Sequence, residues 1–370
     1  MDKQTGTQSQ FFMALIDGQI TLWDVANQER YVLDDAHLQR IIAVCRGDEL
    51  RDSLIDQTIK ASRIFENDDR MLEWKWDMLA RIFHFGTRIK LQPGESLPTQ
   101  DEYEGYLEYC TSIADTMPDL DTRREGPTIA LPRVAPDAMP DKDLWETLKT
   151  RKTCRDFEPS PIELSRFSQA LYWSFGAIHG AIQQDLANAG LIPAGYRRAA
   201  PSAGSLQATE VYVAALHVKD LPPGLYHYRS RTHELTLVQK DVKGEHIGSL
   251  LGAQMYAKDL AFGVFFTSRF DKLWWKYPNS RAYRVALLDV GALLQTFLLV
   301  CTGLGLRTWP TGHFFDDEIN HLLEIDGIKE AALFFAGAGE GSGSPFSPMA
   351  RKTIFNALEK RRGFSTDMSE

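Results

Sequence analysis

Two short apolar runs open the chain, Phe12-Met13-Ala14-Leu15-Ile16 and Ile20-Thr21-Leu22-Trp23, and Asp17-Gly18 lies between them. Asp-Gly between apolar runs marks a tight hairpin, because both turn residues tolerate a positive φ. Leu38, Ile41, Ile42 and Cys45 then recur at helical spacing, which predicts helices around 35–46 and 50–60. Strands followed by short helices predict a small winged-helix-like α/β module. Trp74, Trp76, Phe83, His84 and Phe85 predict a helix packed on its neighbour by an aromatic face.

Pro118, Pro127, Pro132, Pro136 and Pro140 then arrive in quick succession. Proline denies both helix interior and central strand, so residues 114–140 read as an extended connector. The expected division is a module with helices over 1–113, the connector, and a second domain over 141–365. In that domain a helix starts near Leu144. Ser160-Pro161-Ile162-Glu163 reads as a capping box ahead of the apolar stripe Leu164, Phe167, Leu171 and Phe175. Val211-Tyr212-Val213-Ala214-Ala215-Leu216 and Ala332-Leu333-Phe334-Phe335-Ala336 read as strands, with a long apolar helix over 281–301 between them. Interleaved strands and helices give an α+β fold.

Composition narrows the function classes. The balance of 41 basic against 50 acidic residues, net charge −9, argues against nucleic acid or an anionic membrane as partner. Cys45, Cys110, Cys154 and Cys301 stand far apart with no CxxC pair, so they read as buried reduced thiols rather than a disulfide framework or a metal site. The polar N-terminus lacks the apolar run of a signal peptide, and a cytoplasmic protein is expected. Residues 285–306 approach the length of a membrane span, yet Asp289 and Gln295 lie inside them; a helix buried in a domain or between subunits fits better.

Four clusters in the second domain look chemical. Arg151-Lys152-Thr153-Cys154-Arg155 places three cations around a hydroxyl, a donor set suited to phosphate, although such runs are often solvated surface. Pro201-Ser202-Ala203-Gly204-Ser205 lets backbone approach a flat ligand closely, or is a plain turn. Lys276-Tyr277 precedes the long helix; a lysine in an apolar pocket loses proton affinity and serves as a general base, whereas a surface lysine snorkels. Gly303-Leu304-Gly305 caps a helix, and the loop through Thr311-Gly312 can present backbone groups to a ligand edge.

Taken in order, Arg151-Lys152-Thr153-x-Arg155, Pro201-Ser202-Ala203-Gly204, Gly224-Leu225-Tyr226-His227-Tyr228, Lys276-Tyr277 and Arg281-Ala282-Tyr283-Arg284 resemble the SagB-type dehydrogenases. These form the McbC-like branch of the FMN-dependent nitroreductase superfamily, and the resemblance covers about residues 141–355. It implies a central, mostly antiparallel sheet flanked by helices, in a homodimer holding two FMN molecules at the subunit interface. Arg151, Thr153 and Arg155 are then expected at the FMN phosphate and pyrimidine side, with Pro201, Ser202, Ala203 and Gly204 against the isoalloxazine. Thr311 and Gly312 are expected near the flavin, and Arg351 as a further phosphate ligand. Lys276 and Tyr277 correspond to the catalytic pair of members that oxidise azolines in ribosomally made peptides.

The expected activity is therefore dehydrogenation of azolines to azoles in a precursor peptide. Two other readings are reduction of dehydroalanine or dehydrobutyrine in a lanthipeptide-like precursor, and a non-catalytic scaffold of a peptide-modifying complex. A cyclodehydratase or a lanthionine synthetase would be the matching partner enzyme. Four positions depart from the resemblance: Lys152 and Thr153 stand where Arg and Ser are common, Ala208 replaces a proline, and Pro278 follows the Lys-Tyr pair.

Overall fold

The computed structural model describes residues 11–25, 27–65, 74–91, 94–135, 142–179 and 196–366, with side chains as far as Glu359. Two compact units emerge: Met1–Leu97 with Asn279–Arg281, and Pro98–Pro278 with Ala282–Glu370. The division thus falls ahead of the boundary expected at 113.

In the first unit Asp17 and Gly18, at φ 51° and 77°, join β1 (Phe11–Ile16) to β2 (Gln19–Asp24), and β3 (Glu29–Leu33) completes an antiparallel sheet. Helices α1 (Asp35–Cys45) and α2 (Leu54–Ser62) start at Asp34 and Ser53, whose side chains accept from the third backbone N–H beyond them. Phe11, Leu22, Ile41, Ile59 and Ile64 form the core. Cys45 ends α1 in an exposed position, so the expectation of four buried thiols fails there; Cys110 is half-buried and only Cys154 and Cys301 are buried. Helix α3 (Met78–Gly86) carries the aromatic cluster, where Trp74 meets His84 and Phe85 at 5.2 and 5.7 Å between ring centroids.

The second unit begins with α4 (Gln100–Ser112) and centres on a seven-stranded sheet ordered β4-β7-β6-β5-β8-β10-β9, antiparallel throughout. The strands are β4 (Thr128–Ala130), β5 (Thr209–Ala215), β6 (Gly224–Arg229), β7 (Glu234–Lys240), β8 (Phe262–Arg269), β9 (Arg307–Thr311) and β10 (Glu330–Gly339). Strand β5 is buried along its whole length. Val211, Val213 and Ala215 face a core built with α6 (Leu164–Phe175) and α9 (Arg281–Gly303), while Tyr212 and Ala214 face α7 (Gly244–Leu250) and α10 (Asp316–Leu322). Phe167, Leu171 and Phe175 bury the stripe expected of α6.

Helix α6 begins at Leu164 with Glu163 as N-cap, not at Ser160. Ile162 is held extended instead, donating to the His217 carbonyl (3.1 Å) and accepting from the Lys219 N–H (2.9 Å). Those partners lie far off in sequence and outcompete the local capping signal. By length and composition α9 could cross a membrane, yet Val290, Leu293, Phe297 and Cys301 pack in the sheet's core. Its other side leaves Tyr283, Leu287 and Leu288 exposed. The remaining helices are α5 (Leu144–Thr150), α8 (Phe270–Lys276) and α11 (Pro348–Thr366).

Candidate active site

Pro201–Gly204 precede β5 in a tight turn whose backbone is left-handed at Gly204 (φ 55°), Ser205 (58°) and Gln207 (48°). Glycine is required at 204 for contact as well as for φ. A Cβ there would stand 2.6 Å from the Tyr277 hydroxyl and 3.1 Å from Lys276 Nζ. The turn and the Lys-Tyr pair, 72 positions apart in the sequence, are therefore in van der Waals contact. Lys276 Nζ lies 5.9 Å from the Tyr277 ring centroid, and both residues are half-buried. From α4, Tyr106 stands near Tyr277 and Cys110; burial first, then these two neighbours, push its phenol well above its ordinary range. A cavity of about 500 Å³ beside the turn is lined by His179, Arg198, Pro201, Ser202 and Gln207. The buried Gln207 Oε1 has no partner among the described residues.

Beneath the pair lies a polar network that sequence reasoning missed. Lys272, one turn before Lys276 on α8, is fully buried. Its Nζ donates to Glu210 Oε1 (2.7 Å) and to the carbonyls of Leu120 (3.0 Å) and Gln207 (3.5 Å). Glu210 also accepts from the Thr122 hydroxyl (2.6 Å) and lies 3.2 Å from His227 Nε2. Burial alone would raise the Glu210 carboxyl; the Lys272 charge, joined by His227 and Arg198, overrides it and holds the group well below the usual carboxylate range. Arg124 pairs with Glu330 at 2.5 Å, and the Trp275 indole donates to the Ile113 carbonyl and the Thr116 hydroxyl. Residues 113–124, largely assigned to the connector by their prolines, are thus bonded into the second unit. The available signal was Glu210, a carboxylate at the head of the apolar run Val211–Leu216.

The Arg-rich motif lies elsewhere. Thr153 bridges Thr308 at the start of β9, the Cys154 N–H donates to the Thr308 carbonyl (2.8 Å), and the Arg155 guanidinium donates to the Pro345 carbonyl (2.9 Å). Among the described residues the side chains of Arg151, Lys152, Thr153 and Arg307 have no hydrogen-bond partner, and Lys152 and Arg307 both approach Gly343. Arg155 reaches Tyr256, whose phenol is pushed up by burial and pulled back by that guanidinium. Tyr256 donates to Gln254 (2.8 Å), and Gln254 Nε2 to the Thr311 hydroxyl (3.3 Å). Tyr256 and Gln254, absent from the sequence expectations, therefore join the Arg motif to the Thr311–Gly312 loop. Arg351, the expected phosphate ligand, is bonded to Asp156 (2.5 Å).

The two sets stand at opposite ends of the sheet. Thr308 is in register with Ala338, whereas Thr209, next to the turn, is in register with Ser268 and through it Ala331. Ala331 and Ala338 are about 23 Å apart along the strand, and β5 and β9 stand about 14 Å apart across the sheet.

The sequence profile of the nitroreductase family matches residues 148–339, which is just over half of the chain. The chain belongs to the nitroreductase family. It is an oxidoreductase of that family by this match. Over 196 residues it is 25% identical to "Putative nitroreductase MJ1384" of Methanocaldococcus jannaschii, covering 53% of this chain and 90% of that protein. Over 141 residues it is 27% identical to the trifolitoxin-processing protein TfxB of Rhizobium leguminosarum bv. trifolii, covering 37% of this chain but only 38% of TfxB. A crystal structure described as a putative nitroreductase from Anabaena variabilis shares the fold. It has a TM-score of 0.52 and 19% identity over 73% of this chain, which spans 49% of that one.

Proposed function

We propose that this nitroreductase-family protein is an FMN-dependent, SagB-type dehydrogenase that converts azolines to azoles in a ribosomally made peptide. The observation that carries the reading is the placement of Lys276 and Tyr277 directly over Gly204. Likeness to a trifolitoxin-processing protein supports a peptide substrate.

The donor chemistry fits FMN. Arg151, Lys152 and the Thr153 hydroxyl are without protein partners among the described residues, as a phosphate site requires. The cradle at Gly204 admits close approach of backbone to a flat ring, and Gln207 offers an unpaired acceptor beside it. When bound, FMN would supply the acceptor for the hydride that an azoline ring loses. Arg151, Thr153 and Arg155 would hold its phosphate side, Thr311 and Gly312 its edge, and Pro201–Gly204 the ring. Arg351, already bonded to Asp156, fits as a support for the Arg155–Asp156 segment.

Lys276 then takes the ring proton of the substrate, and Tyr277 passes it on through its hydroxyl, near which Tyr106 stands. Turn and Arg motif stand more than about 20 Å apart within one chain, at about 3.3 Å per residue and about 4.8 Å per strand. We infer that two copies complete each site, in a homodimer that covers the exposed Leu287 and Leu288 of α9. A cytoplasmic enzyme working beside a cyclodehydratase is the matching setting.

Mass spectrometry of an azoline-bearing peptide treated with the FMN-loaded protein tests the direction. Loss of two hydrogens per ring is expected. A gain of two hydrogens on a dehydroalanine-bearing peptide, with the azoline peptide untouched, would select the reductase instead.

A further inference from the structure

The turn bearing Gly204 is tied to the long helix by one carboxylate, and we propose that Asp289 is a positioning residue of the flavin site. It latches Ser202–Gln207 in the left-handed shape that seats Gly204 beneath Lys276 and Tyr277. This inference deepens the FMN reading and rests on it.

Asp289 Oδ2 accepts from the Ala203 backbone N–H (3.0 Å) and from the Ser202 hydroxyl (3.3 Å). The Ser202 oxygen in turn accepts from the Gln207 N–H (3.0 Å). One carboxylate therefore closes both ends of the turn. Between those ends Gly204, Ser205 and Gln207 all have positive φ, a conformation that serine and glutamine resist. Backbone bonds within the turn, from Ser205 to Ser202 and from Leu206 to Ala203, do not relieve that resistance; from outside, Lys272 reaches the Gln207 carbonyl at one end and Asp289 reaches Ser202 and Ala203 at the other. Its own footing is firm, because Ala286, Val290 and Leu293 beside it on α9 are buried.

The placement is otherwise unfavourable. Aspartate is a weak helix former in mid-helix, and burial pushes its carboxyl above the ordinary range despite the bonds from Ala203 and Ser202 and the charge of Arg198. A residue carrying both penalties is explained by what it holds. If the latch opens, Gly204 is free to leave the Lys-Tyr pair, and the backbone that faces the flavin ring loses its shape.

The charged and titratable groups around the turn are His179, Arg197 and Arg198 along the cavity, Lys276 and Tyr277 over Gly204, and Lys272 on the Gln207 carbonyl with its partner Glu210, which His227 also approaches. Of any acid-side loss of FMN affinity, the part that disappears when residue 289 can no longer ionise is assigned to Asp289. The test is the FMN dissociation constant of the full-length protein, read by flavin fluorescence from pH 5 to 8, for wild type, Asp289→Ala and Asp289→Asn. At pH 7.5 Asp289→Ala should weaken FMN at least tenfold and Asp289→Asn by less, since one acceptor oxygen remains. The acid-side loss should be larger in wild type than in Asp289→Asn, which keeps only the part due to other groups. Should the alanine variant fail to fold, the asparagine variant still decides. Wild-type affinity together with a wild-type acid limb in Asp289→Asn would overturn the proposal. FMN affinity does not depend on the peptide, so failure of azoline turnover alone leaves the latch standing. A wild-type chain that takes up no FMN overturns the latch and the reading beneath it together.

Discussion

Lys272 and Lys276 stand one helical turn apart on α8, and their surroundings could hardly differ more. Lys272 is fully buried, with its ammonium on a carboxylate and two carbonyls. Lys276 is half-buried and lies over a tyrosine ring with no acidic partner among the described residues. A buried, fully satisfied charge is committed to holding segments together: here β5, the turn at Gln207 and the chain at Leu120. The lysine without such bonds is the one left to meet something that enters. The same side chain is thus a tether at one position and, on the proposed function, a reagent at the next turn.

The sharpest way to break this contrast is to remove each lysine in turn. Lys276→Ala should cut azoline turnover about 10²–10⁴-fold, the usual worth of a positioned general base, while melting temperature and bound FMN stay as in wild type. Wild-type turnover in that variant would end the assignment. Lys272→Met should act first on the fold. Removing one partner of a buried pair costs about 3–5 kcal/mol, a drop in Tm of roughly 6–20 °C at about 2–4 °C per kcal/mol. Adding Glu210→Gln to Lys272→Met should recover much of that loss, since neutral replacements of a buried pair are often tolerated. Calorimetry of the single and double variants checks both statements.

A smaller effect concerns His233, which lies 2.8 Å from both the Ser168 and the Tyr228 hydroxyls. Burial lowers its proton affinity, partly offset by the Pro132 carbonyl. The folded value lies below the unfolded one of about 6.5. Its contribution to stability is therefore present above about pH 6.5 and is lost as pH falls through the folded value. His233→Gln should flatten the stability change between pH 7.5 and 5.5, measured by denaturant unfolding at each pH.

Local pattern carried the parts of this molecule whose partners are near in sequence or repeat with a fixed period. The Asp17-Gly18 hairpin, the apolar run of β5 and the stripe of α6 were legible for that reason. The capping box at Ser160 misled because Ile162 is claimed by His217 and Lys219. The proline-marked stretch from 114 read as a linker because proline reports what a segment cannot be, and is silent on what Thr122 or the Leu120 carbonyl will bond. The ordered motifs named the candidate site residues, and of these the Pro201–Gly204 turn and the Lys276-Tyr277 pair meet in the fold. Asp289, Lys272 and Glu210 lacked any motif, since their meaning comes from contacts that only the fold creates.

The central claim is that a flavin is held between the Pro201–Gly204 turn and the Arg151–Arg155 motif. It is tested most directly by the visible absorption spectrum of the purified protein after incubation with FMN and gel filtration. Flavin bands at about one FMN per chain are predicted from one shared site per protomer of a two-fold pair, with the bands diminished in Arg151→Ala. A colourless protein that takes up no FMN would contradict the account.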